Sequence, residues 1–157
     1  MIEIINNSQL NNIISEAQSS VRKRKNHNYH KTFSDPINRM LNAIEPGSYI
    51  QPHKHEDPDK REIFLLLKGK LAVVFFNNAG KPVEHVILEN KENYGVEISP
   101  SVWHTIIALE TGTVVYEIKD GPYSVSDDKN FADWAPKEGD DNCREYLHDI
   151  LSQLNLS

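Results

Sequence analysis

"GSYIQPHKHEDPDKREIFLLLKG", Gly47 to Gly69, holds the pattern on which the fold turns. Residues two apart in a strand share a face, so His53 and His55 project together while Lys54 points away. The charged loop "EDPDKR" lets the chain turn back, and Glu62 then opens the run "EIFLLL". If Glu62 faces inward, Phe64 and Leu66 do too, giving the site an apolar floor. Two imidazoles and a carboxylate so placed can converge on one metal ion. A third imidazole fits at His104 in "SPSVWHTIIAL", flanked by Trp103 and apolar residues, where a solvated histidine would be out of place. Three neutral imidazoles and one carboxylate suit zinc, iron, manganese, nickel or copper without choosing among them.

Outward from this stretch, short apolar or alternating runs follow one another between turn signals. They are "INRMLNAI", "SYIQPHKH", "EIFLLL", "LAVVFF", "VEHVIL", "YGVEI", "VWHTIIAL" and "TVVYEI", with "NNAG" (Asn77 to Gly80) as a hairpin turn. Many strands with no helices between them predict an antiparallel sandwich or barrel. Helical spacing appears only at the two ends. Leu10, Ile13, Ile14 and Ala17 predict a helix over 8–20 with Ser8 as N-cap, and "DDNCREYLHDILSQL" predicts one over 140–155 capped by Asp140 or Asp141. Nothing marks a linker, so the expectation is one domain over 1–157, with the barrel over 21–120 and a lid over 121–139.

The composition excludes several classes of function. With 38% hydrophobic and 25% charged residues and a net charge of −6, the chain lacks the basic surface that nucleic acid or anionic membrane requires. Cys143 stands alone, so neither an internal disulfide nor a cysteine-based zinc cluster can form within one chain. "MIEIINNSQLNN" is not a signal peptide, and no apolar run approaches the roughly 20 residues that span a bilayer. These features predict a soluble cytoplasmic protein.

The framing of the histidines resembles the cupin family. Its first motif, G-x5-H-x-H-x3,4-E-x6-G, is met from Gly47 to Gly69, except that six residues precede Glu62. Its second, G-x5-P-x-G-x2-H-x3-N, is similar to "GVEISPSVWHTIIA", Gly95 to Ala108, with shortened spacings, no inner glycine and Ala108 for the final Asn. The resemblance implies an all-β double-stranded β-helix (jelly-roll barrel) holding a divalent transition metal by His53, His55, Glu62 and His104. Within cupins, "RMLNAIEPGSYIQPHKH", "WHTIIALETGTVVYEIKDGPY" and "FADWAP" resemble the WbuC family. That family implies a metalloprotein encoded among bacterial surface-polysaccharide (O-antigen) biosynthesis genes. Cupins of this size also imply a homodimer, for which the apolar stripe of the C-terminal helix suits an interface.

"VRKRKNHNYHK" changes meaning when read with period two. Arg22, Arg24, Asn26, Asn28 and His30 fall on one strand face, and Lys23, Lys25, His27, Tyr29 and Lys31 on a second, wetter one. The first face suits a polar anionic ligand, with guanidinium forks for phosphate or carboxylate and amides for hydroxyls. The other reading is an edge strand kept from aggregating by its charge. Tyr49 and Gln51 share parity with the histidine pair and are expected in the same cavity. Glu117 and Lys119 share a face as an acid/base pair or a structural ion pair, and Arg39 either reaches the barrel mouth or pairs with Asp35. Tyr123, Phe131 and Trp134 belong to the lid, where Tyr123 is a further candidate for substrate contact.

Two functions follow. One is an enzyme acting on a sugar or sugar nucleotide by metal-assisted isomerisation or epimerisation, with His30, Glu117 or Tyr49 moving the proton; a ferrous dioxygenase would use the same ligands. The other is a non-catalytic module that binds a sugar through its metal.

Overall fold

The structure, a computed structural model, describes residues 2–126 and 128–156. The short runs form two five-stranded antiparallel sheets. The first is ordered β1 (Arg24–Asn28), β2 (Ile37–Ile44), β9 (Thr113–Asp120), β4 (Glu62–Lys68), β7 (Gly95–Ile98). The second is ordered β10 (Asn130–Phe131), β3 (His53–Lys54), β8 (His104–Ala108), β5 (Leu71–Phe76), β6 (Pro82–Leu88). This is the predicted all-β jelly-roll barrel.

Alternation explains how the sheets close. In β4, Glu62, Phe64 and Leu66 are buried while Leu65 is exposed, as the period-two reading requires. β2 and β5 are buried on both faces over most of their length because each is covered twice. Their inner residues, such as Ile44, Leu71 and Val73, join a core with Phe64, Leu66, Ile106 and Val115. Their outer residues are covered by helices. Helix α1 (Asn7–Ser19) lays Leu10, Ile13, Ile14 and Ala17 on Leu41, Ala43 and Val114 of the first sheet. Helix α2 (Cys143–Gln153) buries Leu147 and Ile150 against Ala72, Val74, Phe76 and Ile107 of the second.

The helix ends differ from expectation. Asn6, not Ser8, caps α1, its side chain accepting the Gln9 N–H at 3.1 Å. Helix α2 starts at Cys143, after Asn142, because the Asp140 carboxylate accepts the Lys137 N–H and so is spent on the preceding turn. The α2 stripe is consumed inside the chain, which removes the reason for assigning it to a dimer interface. The second face of β1 is the exposed one, as expected, and its side chains reach across to α1. Tyr29 donates to Gln9, His27 meets the same amide and Lys25 pairs with Glu16, all on α1.

Gly69 turns β4 into β5 at φ +81°, where an added Cβ would run into Thr113. In the second motif, which lacks its inner glycine, Ser101 just after Pro100 takes a left-handed backbone at φ 65°, and its N–H donates to the His55 carbonyl at 3.0 Å. No helix among the described residues is long and apolar enough to cross a membrane.

Candidate metal centre

His53 opposes His104 across the β3–β8 pairing, so both side chains enter the barrel from the second sheet. Glu62 enters from the first sheet, at the start of β4, and His55 follows one residue after β3. The six-residue loop absorbs its extra length outside the barrel, and Glu62 reaches the histidines. One ligand atom from each of the four lies within 4.8 Å of the others, and all four residues are buried.

The hydrogen bonds fix which nitrogens converge. His53 Nδ1–H donates to Gln51 O at 3.0 Å, His55 Nδ1–H to Asp128 O at 2.5 Å and His104 Nδ1–H to Val102 O at 2.9 Å. Each ring is thereby held in one tautomer, leaving an Nε2 lone pair for the centre. His104 Nε2 lies 2.9 Å from Glu62 Oε2, and His55 Nε2 lies 3.4 Å from the same oxygen with no hydrogen-bond partner among the described residues. Lone pairs facing a buried carboxylate repel it unless a cation lies among them, so the donor set fits a divalent transition metal. Burial alone would raise the Glu62 carboxyl; in metal-free protein, hydrogen bonds from the His104 and His55 rings outweigh it and hold it well below the usual range, so the carboxylate is met either by ring protons or by a metal. Burial, with the Lys129 charge adding to it, keeps His53 neutral.

Beside the cluster lies a cavity of about 600 Å³. Arg22, Arg24, Asn26, Asn28 and His30 line it, together with Lys25 of the other face and with Glu117, Lys119 and Tyr123. Among the described residues its wall carries five cationic side chains, Arg22, Arg24, Lys25, Lys119 and Lys129, against the carboxylates of Glu117 and Asp128. In a chain of net charge −6, this concentrates positive potential on one concavity. The arginines are already engaged. Glu138 accepts from Arg22 Nε at 2.6 Å and Arg24 Nη2 at 2.6 Å, and Arg24 Nη1 also donates to the Tyr49 carbonyl at 2.9 Å.

Glu117 and Lys119 join cavity to cluster. Lys119 is the cross-strand neighbour of Glu62. Burial, with the Glu62 charge second, pushes the Glu117 carboxyl up to about 7. For Lys119, burial favours the neutral amine, but Glu117, Glu62 and Asp128 prevail and raise it.

Three expected site residues lie elsewhere. Tyr49 donates its hydroxyl to Pro136 O at 2.7 Å and packs among Ala72, Ile107 and Leu147 beneath α2. Gln51 spends its amide on Ala132 O at 3.0 Å. The reason is that β3 begins only at His53, so the alternation does not extend back through Pro52 and Ile50 faces the cavity instead. Arg39 pairs with Asp35 at 3.3 Å outside the barrel, because its neighbours Asn38 and Met40 hold the inward positions of β2.

The structure adds residues absent from the expectations. Asp128 accepts from Lys119 at 2.6 Å and Lys60 at 3.0 Å, while its backbone carbonyl orients His55. One residue of the 121–139 segment thus ties the barrel mouth to the histidine cluster. Nothing in "SVSDDKNF" marks it. Asn38 and Asn42 were visible as polar residues on the face of β2 that they share with Met40 and Ile44.

The two sheets and the buried three-histidine, one-glutamate cluster define a cupin-fold protein with a candidate metal site. Residues 5–88, more than half of the chain, match the family described as a domain of unknown function, DUF6016, and the chain belongs to that family. No curated protein matches it. Among solved structures it is similar to the capsular polysaccharide assembling protein CapF from Staphylococcus aureus. That match has a TM-score of 0.55 at 22% identity, over 66% of this chain and 28% of CapF. It is also similar to KdgF from Halomonas sp., TM-score 0.50 at 16% identity, over 66% of this chain and 83% of that one. A third is oxalate oxidase in complex with the substrate analogue glycolate, TM-score 0.51 at 15% identity, over 73% and 57%. At these identities the likeness is one of fold, and the chain spans less than a third of CapF.

Proposed function

We propose that this protein is a metal-dependent cupin that acts on a sugar or sugar nucleotide, by isomerisation or epimerisation, in bacterial surface-polysaccharide (O-antigen) biosynthesis. The WbuC resemblance supports the setting, as does the fold shared with a protein described as capsular polysaccharide assembling. The observation that carries the reading is Glu117, a buried carboxyl with an affinity for protons near neutrality, placed between the cluster and the cationic cavity. A general acid or base works best at such a value. A divalent metal held by His53, His55, Glu62 and His104 supplies Lewis acidity to adjacent oxygens of a hydroxy-carbonyl substrate.

The chain's own residues do the rest. Glu117 takes a proton from the substrate carbon and returns it. Lys119, held by Asp128, keeps its charge beside that carboxylate, and His30 at the cavity wall is a second proton carrier. Arg22 and Arg24 receive a phosphate or carboxylate in exchange for Glu138, while Tyr123 closes the cavity with the 121–139 segment as a lid. The test is metal analysis of protein purified without added metal, followed by a turnover screen against nucleotide sugars. The wild type retains about one metal per chain, His53→Ala and His104→Ala lose it, and Glu117→Gln abolishes turnover while keeping the metal. Metal retained in both histidine variants sinks the site, and full turnover by Glu117→Gln sinks the proton transfer.

A further inference from the structure

The inner face of the first sheet is a grid whose rows run across the strands. Asn38, Lys119 and Glu62 form one row, and Asn42 lies one row beyond Met40 and Glu117. Asn38 is 1% exposed, lines the cavity, and neither atom of its carboxamide has a hydrogen-bond partner among the described residues. Asn42 is 6% exposed; its Nδ2 donates to Glu117 Oε2 at 3.1 Å and its Oδ1 has no partner among the described residues. A buried amide costs stability unless its donor and acceptor are both met, and two such amides on one strand of a cavity are hard to explain by packing.

We propose that Asn38 and Asn42 are specificity-determining residues that bind vicinal hydroxyls of a polyhydroxylated ligand, at the end of the molecule remote from the metal. Resting on the function proposed above, this adds the residues that read the ligand's hydroxyls at that same site. A carboxamide offers one acceptor and two donors side by side. A vicinal diol answers it: one hydroxyl donates to Oδ1 and its neighbour accepts from Nδ2. A carboxylate or phosphate answers only the donor and leaves Oδ1 facing an anion. Asn38 stands two strand spacings, about 10 Å, from Glu62 across the sheet. A ligand with its hydroxy-carbonyl end at the cluster therefore brings hydroxyls three or four carbons further on to Asn38. The same amides reject a deoxygenated chain, which would leave them buried and unpaired.

The test uses Co2+-loaded protein and three probes read by calorimetric titration and the cobalt absorption bands. Glycolate carries the hydroxy-acid head alone, D-gluconate adds a hydroxylated tail, and hexanoate has the same carbon chain without hydroxyls. We expect gluconate to bind about tenfold or more tightly than glycolate, and hexanoate no better than glycolate. Asn38→Leu erases the gluconate advantage, leaves glycolate unchanged, and keeps or raises the thermal midpoint because it removes an unpaired buried amide. Glycolate binding with no advantage for gluconate overturns the inference and leaves the metal reading standing. If Co2+ binds but no probe shifts its bands, the reading of the metal as the substrate's anchor fails, and this inference with it. A large fall in thermal midpoint for Asn38→Leu marks Asn38 as a structural residue and also overturns the inference.

Discussion

At one end of the barrel interior, Leu66, Leu71, Val73, Leu88 and Val115 pack without a polar group among them. At the other, on the same strands, Glu62, Glu117 and Lys119 meet Asn38 and the histidines, and Asn42 reaches in from the Val115 row to Glu117. The rows change from Leu66 and Val115, through Phe64 and Glu117, to Glu62 and Lys119 within four residues of each strand. The apolar end gains stability from every side chain it buries. The polar end spends some of that stability on buried charges and unpaired amides, which only a metal or ligand would repay. Chemistry here sits where burial is least favourable, and the apolar half carries it.

Substitutions at each end can break this contrast. Asp128→Ala should have the largest effect, since it leaves Lys60 and Lys119 buried without their carboxylate. A loss of about 3–5 kcal/mol in denaturant unfolding is expected. A loss under about 1 kcal/mol would mean that the polar end carries no such cost. Leu71→Ala, at 0% exposure in the apolar end, should lose about 2–5 kcal/mol while the remaining folded protein keeps its full metal content. Metal loss in proportion to stability would show that the two ends are not separable.

Protonation sharpens the comparison further. In metal-free protein, Glu117 rises from 4.5 to about 7. The folded state then holds a proton that the unfolded state has released, so stability contributed by the neutral carboxyl is lost as pH rises from about 4.5 to 7. The loss is about 3 kcal/mol and absent in Glu117→Gln. His53, kept neutral by burial, acts in the opposite sense as pH falls below 6.5. The quantity to measure is therefore the wild-type-minus-variant difference across that range; a flat difference would contradict the account. The smallest effect belongs to the rim. Glu138→Gln should change stability by less than about 1 kcal/mol, since Arg22 is solvated and Arg24 keeps its bond to the Tyr49 carbonyl. Its consequence should instead be tighter, salt-sensitive binding of inorganic phosphate, measured by titration.

The histidine–glutamate cluster was legible because its signal is local: one strand, one loop and one more strand hold three of the four residues, and parity does the rest. The β1 face was legible for the same reason. Parity failed at Tyr49 and Gln51 because the chain before His53 is not a strand, and a period extended through Pro52 points the wrong way. Arg39 follows the second of its two readings and pairs with Asp35, because its neighbour Asn38 has the inward position, where its carboxamide has no partner among the described residues. Asp128 had no local signal, since its importance comes from two lysines remote in the chain, at 60 and 119.

By itself, then, the amino-acid order determined the antiparallel architecture, the terminal helices and the histidine–glutamate cluster, because alternation and motif spacing act between residues close along the chain. Tertiary structure alone decided what each helix covers, that Glu138 occupies the arginines, and that Asp128 links the 121–139 segment to the histidines. Those outcomes depend on which distant strands become neighbours, and a buried charge or amide has meaning only once its surroundings are assembled.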